Sequence, residues 1–378
     1  MAHPTPAKLP GHLPGHIPSL DGLRAFSVLL VLIGHVAATH GAPVWLDKPA
    51  ITSLGNIGVR FFFLISGFLI TTLLMREHAK TGRLDLGHFY LRRAYRILPA
   101  AFCYIGLIWV AHLLGWIDLA FHIASKTQAD SAVPDLLHAI TFTANYNHDY
   151  NWYYNHLWSL SVEEQFYLIW PFVLVYCGIH RGVWACLVAL LLCPLIRLVM
   201  HTWGDAPEIA LNREFQAIAD ALATGCMAAL LHARISAMPR LMRFITHPVA
   251  PILVGGGLLA VGYGSALVSR PFAYVAGQVF SNLGIILLLQ HVIRSPQHWA
   301  GQILNWRPMA WVGTMSYSLY LWQEPFLYFH PDTWATRFPL NLALAFGAAW
   351  LSYRFVEQPF LRLKDRLHPA PGKQKAAA

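Results

Sequence analysis

Residues 156–167 read HLWSLSVEEQFY, and they place two adjacent carboxylates, Glu163 and Glu164, in a segment otherwise apolar enough to cross a membrane. A charged group at that depth costs several kcal/mol unless it is paired or reached by water. Ionisable residues inside a membrane therefore indicate a functional site by default. This stretch predicts a membrane-embedded catalyst or carrier.

The composition of the whole chain agrees with a membrane protein. Hydrophobic residues make up 56% of its 378 residues, whereas Asp, Glu, Lys and Arg together make up 12%. A water-soluble domain of this length does not need so apolar a composition. The net charge of +9 requires no nucleic-acid partner, because the basic residues of membrane-flanking loops account for it. We expect the lipid bilayer to be a partner and nucleic acid not to be one.

Apolar windows of about 20 residues, the length that crosses a bilayer as a helix, recur along the chain. They predict an all-α fold, namely a polytopic membrane bundle of about ten transmembrane helices. The predicted spans are residues 24–43, 53–75, 97–117, 156–178, 183–201, 211–231, 248–268, 271–293, 307–329 and 339–355.

The distribution of basic residues predicts the orientation of this bundle. If the amino terminus is cytoplasmic, most Arg and Lys residues fall in the connections on the cytoplasmic side. The opposite connections then hold Lys48, Lys126, Arg213, Arg270 and Arg337. This bias follows the positive-inside rule, and it favours an even number of spans with both termini in the cytoplasm.

Three parts of the chain differ in composition. Residues 1–19 are predicted to form a flexible cytoplasmic tail rich in Pro, Gly and His, residues 20–360 the membrane domain, and residues 361–378 a basic cytoplasmic tail. The first span lacks a cleavage site after it and is expected to stay in place as a helix. We expect no further domain after the tenth span. We also expect no metal site, because Pro and Gly deny the tail histidines a fixed ligand geometry.

Several ionisable residues lie at matching depths in the predicted spans. At a rise of about 1.5 Å per residue, His35 lies about 16 Å along its helix from Arg24. Arg60 lies about 10 Å from the outer end of the second span, and Glu163 and Glu164 lie at a similar depth in the fourth. A histidine near carboxylates is typical of a general base oriented by an acid. The alternatives are a His35 that only packs between helices and an Arg60 that serves as a structural counter-ion.

The motif FYLRRAYRILP, at residues 89–99, carries three arginines within five positions: Arg92, Arg93 and Arg96. Guanidinium groups bind phosphates through paired hydrogen bonds. The motif therefore predicts a phosphorylated cytoplasmic donor, and the alternative is a simple positive-inside signal.

The predicted outer loop at residues 145–155 reads NYNHDYNWYYN. Its aromatic and amide side chains suit stacking and hydrogen bonding with sugar rings. The alternative is an interfacial aromatic belt, because Trp and Tyr are enriched at membrane surfaces.

Six segments together resemble the acyltransferase family 3 membrane proteins. Each is weak alone, but they occur in the order of that family and cover nearly the whole chain. The segments are LDGLR at 20–24 with His35, GVRFFFLISGFLI at 58–70, RRAYRILP at 92–99, WSLSVEEQFY at 158–167, GTMSYSLYLW at 313–322 and EQPF at 357–360.

The resemblance implies a ten-helix enzyme of the bacterial inner membrane. Such an enzyme moves an acyl group, usually acetyl, from cytoplasmic acyl-CoA to a hydroxyl of a cell-surface glycan. Acyl-CoA is then a co-substrate, and no tightly bound cofactor is expected. The residues that match the functional positions of the family are Arg24, His35, Arg93, Arg96, Glu163 and Glu164.

These matches give an expected mechanism. Arg92, Arg93 and Arg96 bind the CoA phosphates, while the thioester reaches toward His35. His35 either deprotonates the acceptor hydroxyl or accepts the acyl group, and Glu163 or Glu164 fixes its tautomer. No Gly-x-Ser-x-Gly motif predicts a serine nucleophile. The residues expected to contact the substrate or an oxyanion are Arg60, Ser66, Trp158, Ser159, Ser161 and Tyr317.

Two positions depart from the family pattern. The residue after Tyr-Leu-Trp of the ninth span is usually His, but it is Gln323 here and is followed by Glu324; the position of Arg60 is often acidic. A role of that His therefore does not carry over, and the polar partners of His35 can differ. Two other functions stay open, namely acylation of a small molecule such as a macrolide and proton-coupled transport or lipid flipping.

Overall fold

Helices account for nearly all of the regular structure. The computed structural model describes residue 17 and residues 19–122, 127–204, 206–328 and 332–367. The predicted amino-terminal tail, apart from Ile17 and Ser19, lies outside the described residues, as does the carboxy-terminal tail from residue 368 onward. The strands in the described ranges are β1 Phe121–His122 and β2 Thr127–Gln128, which pair antiparallel. The described residues thus form the expected all-α architecture.

Twenty α-helices follow one another along the described ranges. The first ten are α1 Leu20–Val36, α2 Pro49–Thr52, α3 Leu54–Thr81, α4 Leu86–Leu113, α5 Val133–Ile140, α6 Trp152–Asn155, α7 Leu157–Cys177, α8 Ile179–Thr202, α9 Glu208–Arg213 and α10 Phe215–Leu230. The others are α11 His232–Ser236, α12 Pro239–Ile245, α13 Ala250–Gly264, α14 Arg270–Phe272, α15 Gln278–Arg294, α16 Trp299–Leu304, α17 Arg307–Thr314, α18 Ser316–Trp322, α19 Leu340–Ser352 and α20 Gln358–Leu367. Short 3-10 turns cover Val44–Leu46, Ala144–Tyr146 and Ser265–Leu267, and π-helical turns cover Ala273–Gly277 and Tyr353–Glu357.

Within the described ranges, five helical segments are long and apolar enough to cross a membrane. Several predicted spans correspond to shorter helices, since α1 has 17 residues and α10 has 16. The predicted span at residues 307–329 is divided between α17 and α18. The number of crossings and the side of each terminus therefore stay predictions. The five segments are Pro49–Thr81, Leu86–Leu113, Ile179–Thr202, Ala250–Leu267 and Arg270–Arg294.

Helix α3 packs closely against α1 and α10 because glycines lie at both contacts. A Cβ atom added at Gly67 would lie 2.1 Å from the carbonyl oxygen of Leu222 in α10. A Cβ atom added at Gly225 of α10 would lie 2.1 Å from the carbonyl oxygen of Leu64. A Cβ atom added at Gly58 would likewise overlap with the carbonyl oxygen of Ser27 in α1. Small residues allow this approach of two backbones, which is a common mode of helix packing in membranes.

A buried ion pair connects α8 to α10. The Arg197 guanidinium lies 3.0 Å from the Asp220 carboxylate, and both side chains are fully buried. Arg197 also donates to the backbone carbonyl groups of Tyr274 and Ala217. A buried charge needs this kind of compensation, so the pair has a structural role.

The amino-terminal end of α4 is fixed by a side-chain cap. The Asp85 carboxylate accepts a hydrogen bond of 2.9 Å from the backbone N–H of His88 and contacts the His88 ring at 2.8 Å. These hydrogen bonds lower the pKa of the Asp85 carboxyl. Because the cap sets where α4 begins, it places the three arginines of the motif in the second and third turns of the helix.

Because α3 and α10 are in close contact at Gly225, we expect one added methyl group there to lower the stability of the protein. We expect Gly225→Ala to lower the apparent melting temperature of the detergent-purified protein, because overpacking of a close contact costs about 1–3 kcal/mol. The matched control is Gly256→Ala on α13, where an added Cβ meets no atom within 4 Å. Equal melting temperatures for the two variants would contradict the packing described here.

Candidate functional site

A small polar cavity lies between α1, α3, α4, α7 and α18, and we call it the three-arginine cavity. Its volume is about 90 Å³, and Arg24, Arg93 and Arg96 line it. Among the described residues that line it, Glu163 carries the carboxylate. Its excess of positive charge suits an anionic ligand that carries phosphate groups.

The carboxylate of Glu163 is held inside this cavity by two hydroxyl groups. Ser66 donates a hydrogen bond of 2.6 Å, and Tyr167 donates one of 3.2 Å. The side chain of Glu164 does not line the cavity, and its Oε1 atom is buried without a hydrogen-bond partner. The two adjacent acids predicted as a pair therefore have different surroundings.

Two further predicted substrate residues, Ser159 and Tyr317, also line the three-arginine cavity. The hydroxyl of Tyr317 donates to the carbonyl oxygen of Ile97 at 2.8 Å, and the hydroxyl of Ser159 lies 2.6 Å from that of Tyr320. Ser161 instead donates to the carbonyl oxygen of Leu157 within its own helix. The structure thus brings Ser66, Ser159 and Tyr317 together around one cavity.

The three arginines of the α4 motif, Arg92, Arg93 and Arg96, do not share one environment. The Arg93 guanidinium faces the three-arginine cavity over the Tyr167 ring, 5.1 Å from its centroid. Arg96 lines the same cavity. Arg92 forms an ion pair of 2.6 Å with Glu77 of α3 and does not line the cavity. Arg92 and Arg96 are four residues apart and are neighbours on the helix, but the Arg92 side chain turns toward Glu77 and so does not share the surroundings of Arg93 and Arg96. Joint phosphate binding by all three stays a prediction.

A second and larger cavity, of about 510 Å³, opens near the amino-terminal ends of α3, α10 and α15; we call it the Trp158 cavity. Arg60 and Trp158, both predicted to contact substrate, line it together with Arg213. Such a volume is typical of a site for a small organic ligand. The predicted substrate residues are therefore divided between two cavities.

The two cavities share a wall formed by α3. Val59 and Phe63 line both of them. Arg60, one residue beyond Val59, faces the Trp158 cavity, whereas Ser66, one turn beyond Phe63, faces the three-arginine cavity. Both cavities therefore lie along the amino-terminal half of α3, and the Trp158 cavity extends further toward the amino-terminal end of this helix.

His35 lies beside a different acid from the one expected. Its Nδ1 atom lies 2.8 Å from Oε1 of Gln323 and 3.4 Å from Oε2 of Glu324. The predicted partner was Glu163 or Glu164, but Glu163 is bound by hydroxyl groups of the three-arginine cavity. His35, Arg60 and Glu163, which were predicted to meet at a similar depth, lie at three separate places. Counting residues along a helix does not say which way a side chain points around that helix.

The contacts of Gln323 fix the tautomer of His35. The amide Nε2 of Gln323 donates to the Glu324 carboxylate at 2.9 Å, so its Oε1 faces the imidazole. Because an amide oxygen only accepts hydrogen bonds, Nδ1 of His35 carries the proton. The Nε2 atom is then the basic nitrogen. The side chain of His35 is 26% exposed, so it is reachable from outside the packed core.

Contacts lead from the three-arginine cavity toward His35. The hydroxyl of Tyr320, which lines the cavity, donates to the carbonyl oxygen of His156 at 3.1 Å. The His156 ring lies 3.7 Å from the Glu324 carboxylate, which in turn contacts His35. Sequence reasoning noted Gln323 and Glu324 as departures from a pattern but assigned them no role, and it gave none to His156. The position of Gln323 directly after the Tyr-Leu-Trp motif was the signal that could have identified it.

The fold and the site define a helical membrane protein with two cavities lined by charged side chains. They also include a His-Gln-Glu cluster, formed by His35, Gln323 and Glu324. A family model described as "Acyltransferase domain" matches residues 17–354. The chain therefore belongs to this acyltransferase family, and the family expected from the six motifs is confirmed.

The curated relatives include bacterial O-acetyltransferases from three species. The putative peptidoglycan O-acetyltransferase YrhL of Bacillus subtilis is 29% identical over 366 residues, which are 90% of this chain and 54% of the relative. The peptidoglycan O-acetyltransferase OatA of Listeria monocytogenes is 29% identical over 376 residues, which are 90% and 55% of the two chains. The O-acetyltransferase OatA of Staphylococcus aureus is 28% identical over 383 residues, which are 94% and 57%.

The chain thus spans a little more than half the length of the curated relatives it matches. No solved structure matches it.

The geometry of the His-Gln-Glu cluster predicts a measurable tautomer. In protein labelled with ¹⁵N-histidine at a pH where the imidazole is neutral, we expect a protonated Nδ1 and an unprotonated Nε2 for His35. The signal is assigned by its loss in His35→Ala. We expect Gln323→Leu to mix the tautomers and Gln302→Leu, at an exposed glutamine, to leave them unchanged. A protonated Nε2 in the wild type would refute the assignment.

Proposed function

We propose that this chain transfers an acetyl group from acyl-CoA to a hydroxyl of a cell-surface glycan in the bacterial plasma membrane. Membership of the acyltransferase family supports the reaction class, and the names of the relatives support acetyl as the group and a glycan as the acceptor. The observation that carries the proposal is the pair of cavities that share the α3 wall at Val59 and Phe63. A donor in one cavity and an acceptor in the other would lie on the two sides of this wall and would not share one entrance.

The three-arginine cavity is the proposed donor site. Its guanidinium groups, from Arg24, Arg93 and Arg96, outnumber the one carboxylate among the described lining residues, which belongs to Glu163. Phosphate groups of CoA would balance this excess through charge-assisted hydrogen bonds, which are roughly twice as strong as neutral ones. The amino-terminal part of α4, which carries Arg93 and Arg96, is predicted to lie on the cytoplasmic side, where acyl-CoA is available.

The proposed reaction uses His35 as a general base. The Nε2 atom takes the proton of the acceptor hydroxyl, and the oxygen attacks the thioester carbonyl to form a tetrahedral oxyanion. The C–S bond then breaks, and the CoA thiolate takes the proton back from Nε2. Glu324, 3.4 Å from Nδ1, would stabilise the imidazolium formed between these steps, which gives it the role first expected of Glu163 or Glu164.

The central test compares acetyl transfer by the wild type and His35→Ala in membranes that contain cell-envelope glycans. We expect the variant to lose a factor of about 10²–10⁴ in the rate of transfer from labelled acetyl-CoA, which is the usual contribution of a general base. The matched control is His78→Ala, at an exposed histidine of α3. The readout is label in base-labile glycan esters together with release of free CoA thiol.

Each other outcome contradicts a stated part of the proposal. Equal label with both proteins would remove His35 from catalysis. Label in a small molecule such as a macrolide, but not in glycan, would overturn the proposed acceptor. Movement of a substrate across the membrane without thiol release would place the chain among transporters.

The division of the α4 arginines predicts unequal effects on donor binding. We expect Arg96→Gln to weaken the binding of CoA to the purified protein at least about tenfold, since hydrogen bonds between charged groups contribute about 1.5–3 kcal/mol. Arg92→Gln, which breaks the ion pair with Glu77 instead, should leave the Kd nearly unchanged. Isothermal titration in detergent measures both constants. Equal losses of affinity would show that CoA does not bind in the three-arginine cavity.

A further inference from the structure

The charges of the Trp158 cavity are unbalanced. Arg60 and Arg213 both line it. Among the described residues of its lining, Glu208 carries the carboxylate, and Glu208 is in an ion pair with Arg270. Two guanidinium groups thus face a cavity whose acidic group is already neutralised by a third arginine.

Arg60 is oriented by neutral groups. Its guanidinium donates to Oδ1 of Asn282 at 2.8 Å and to Oε1 of Gln278 at 2.7 Å. Asp220, a carboxylate in a neighbouring helix that acts on Arg60 through its charge, is in the buried ion pair with Arg197. The amide oxygens therefore fix the direction of the guanidinium without cancelling its charge.

Arg213 is held in a similar way by aromatic rings and an amide. Its guanidinium lies 4.7 Å from the Tyr150 ring centroid and 5.3 Å from that of Trp158, and it donates to Oδ1 of Asn155 at 2.6 Å. Glu324, an acid that acts on Arg213 through its charge, does not line the cavity and lies 3.4 Å from Nδ1 of His35. Stacking on two rings makes the guanidinium rigid and leaves its charge available.

We propose that the Trp158 cavity binds an oxyanion of the acceptor, so that the acceptor is an acidic glycan that carries a carboxylate or phosphate group. The inference rests on the proposed function, because it names the acceptor class for the same reaction. Partly buried cations without a counter-ion are costly, and an acceptor oxyanion would supply that counter-ion. The Trp158 ring gives a flat apolar surface for a sugar ring beside the anion. The cavity volume of about 510 Å³ is within the range for small-molecule sites.

The test uses two acceptors that differ at one group, namely a disaccharide with a free uronic carboxylate and its methyl ester, which is uncharged and larger by one methyl group. Both are offered with acetyl-CoA to the wild type, Arg60→Gln, Arg213→Gln and the control Lys48→Gln, which removes an exposed lysine from the same predicted side. Binding of each disaccharide without donor is measured in parallel by titration. Arg60→Lys keeps the charge and, with the melting temperature, separates a binding defect from misfolding.

We expect the wild type to bind the acid at least about tenfold more tightly than the ester, as hydrogen bonds between charged groups allow. Arg60→Gln and Arg213→Gln should each remove most of that preference by raising the KM of the acid, without changing the KM of the ester or of acetyl-CoA. Lys48→Gln should keep the preference, and Arg60→Lys should keep most of it.

Three results would overturn the inference. One is transfer to acid and ester with equal KM values, which leaves the proposed function intact. Another is a preference that both arginine variants retain. The third is a raised KM of acetyl-CoA in the arginine variants, which would assign the Trp158 cavity to the phosphates of the donor. Arginine-dependent binding of the acid without transfer to either sugar would support the anion site and contradict the proposed function instead.

Discussion

The close contact of α3 with its neighbours is the constraint on which both cavities depend. Gly58 and Gly67 bring two faces of α3 against the backbones of α1 and α10, at distances that no larger side chain would allow. The remaining face is left to line the polar spaces, and Phe63 of this face lines both. A small outward shift of α3 would open the wall between the cavities and separate Ser66 from the Glu163 carboxylate, which lie 2.6 Å apart through their hydrogen bond.

The buried and partly buried arginines of this bundle fall into two groups, which differ in the groups that they contact. Arg197 meets a carboxylate and two backbone carbonyl groups, so its charge is compensated within the protein. Arg60 and Arg213 meet amide oxygens and aromatic rings, and both face a cavity. A structural ion pair requires that the guanidinium charge be neutralised within the protein. A binding site for an anion instead requires a guanidinium group that is held in one direction and keeps its charge. An ionisable residue in a span therefore indicates function only after its partners are known.

The class of the fold could be predicted from the sequence, since periodic apolar windows depend on local order along the chain. The sequence also named Arg24, Arg93 and Glu163 as site residues, but it did not predict that they line one cavity. Arg24, Arg93 and Glu163 do meet in space. The partner of His35 could not be predicted, because it depends on how α18 is rotated against α1 across nearly 300 positions of sequence. Arg213 lies outside every recognised motif, and the distribution of basic residues predicts only that it is in an outer connection, although its stacking against Trp158 places it in the Trp158 cavity.

The replacement of an expected histidine by Gln323 has a physical consequence for His35. An amide has a donor on one side and an acceptor on the other, so the Glu324 carboxylate sets the orientation of the amide, and the amide sets which nitrogen of His35 is protonated. A histidine in this place could exchange its own proton between its two nitrogens and leave the tautomer of His35 free to change. The glutamine amide does not release a proton, so the Glu324 carboxylate sets the orientation of the amide, and the amide sets the position of the proton on His35. This arrangement keeps the proton on Nδ1 and leaves Nε2 as the unprotonated nitrogen of His35, with the carboxylate as the orienting group.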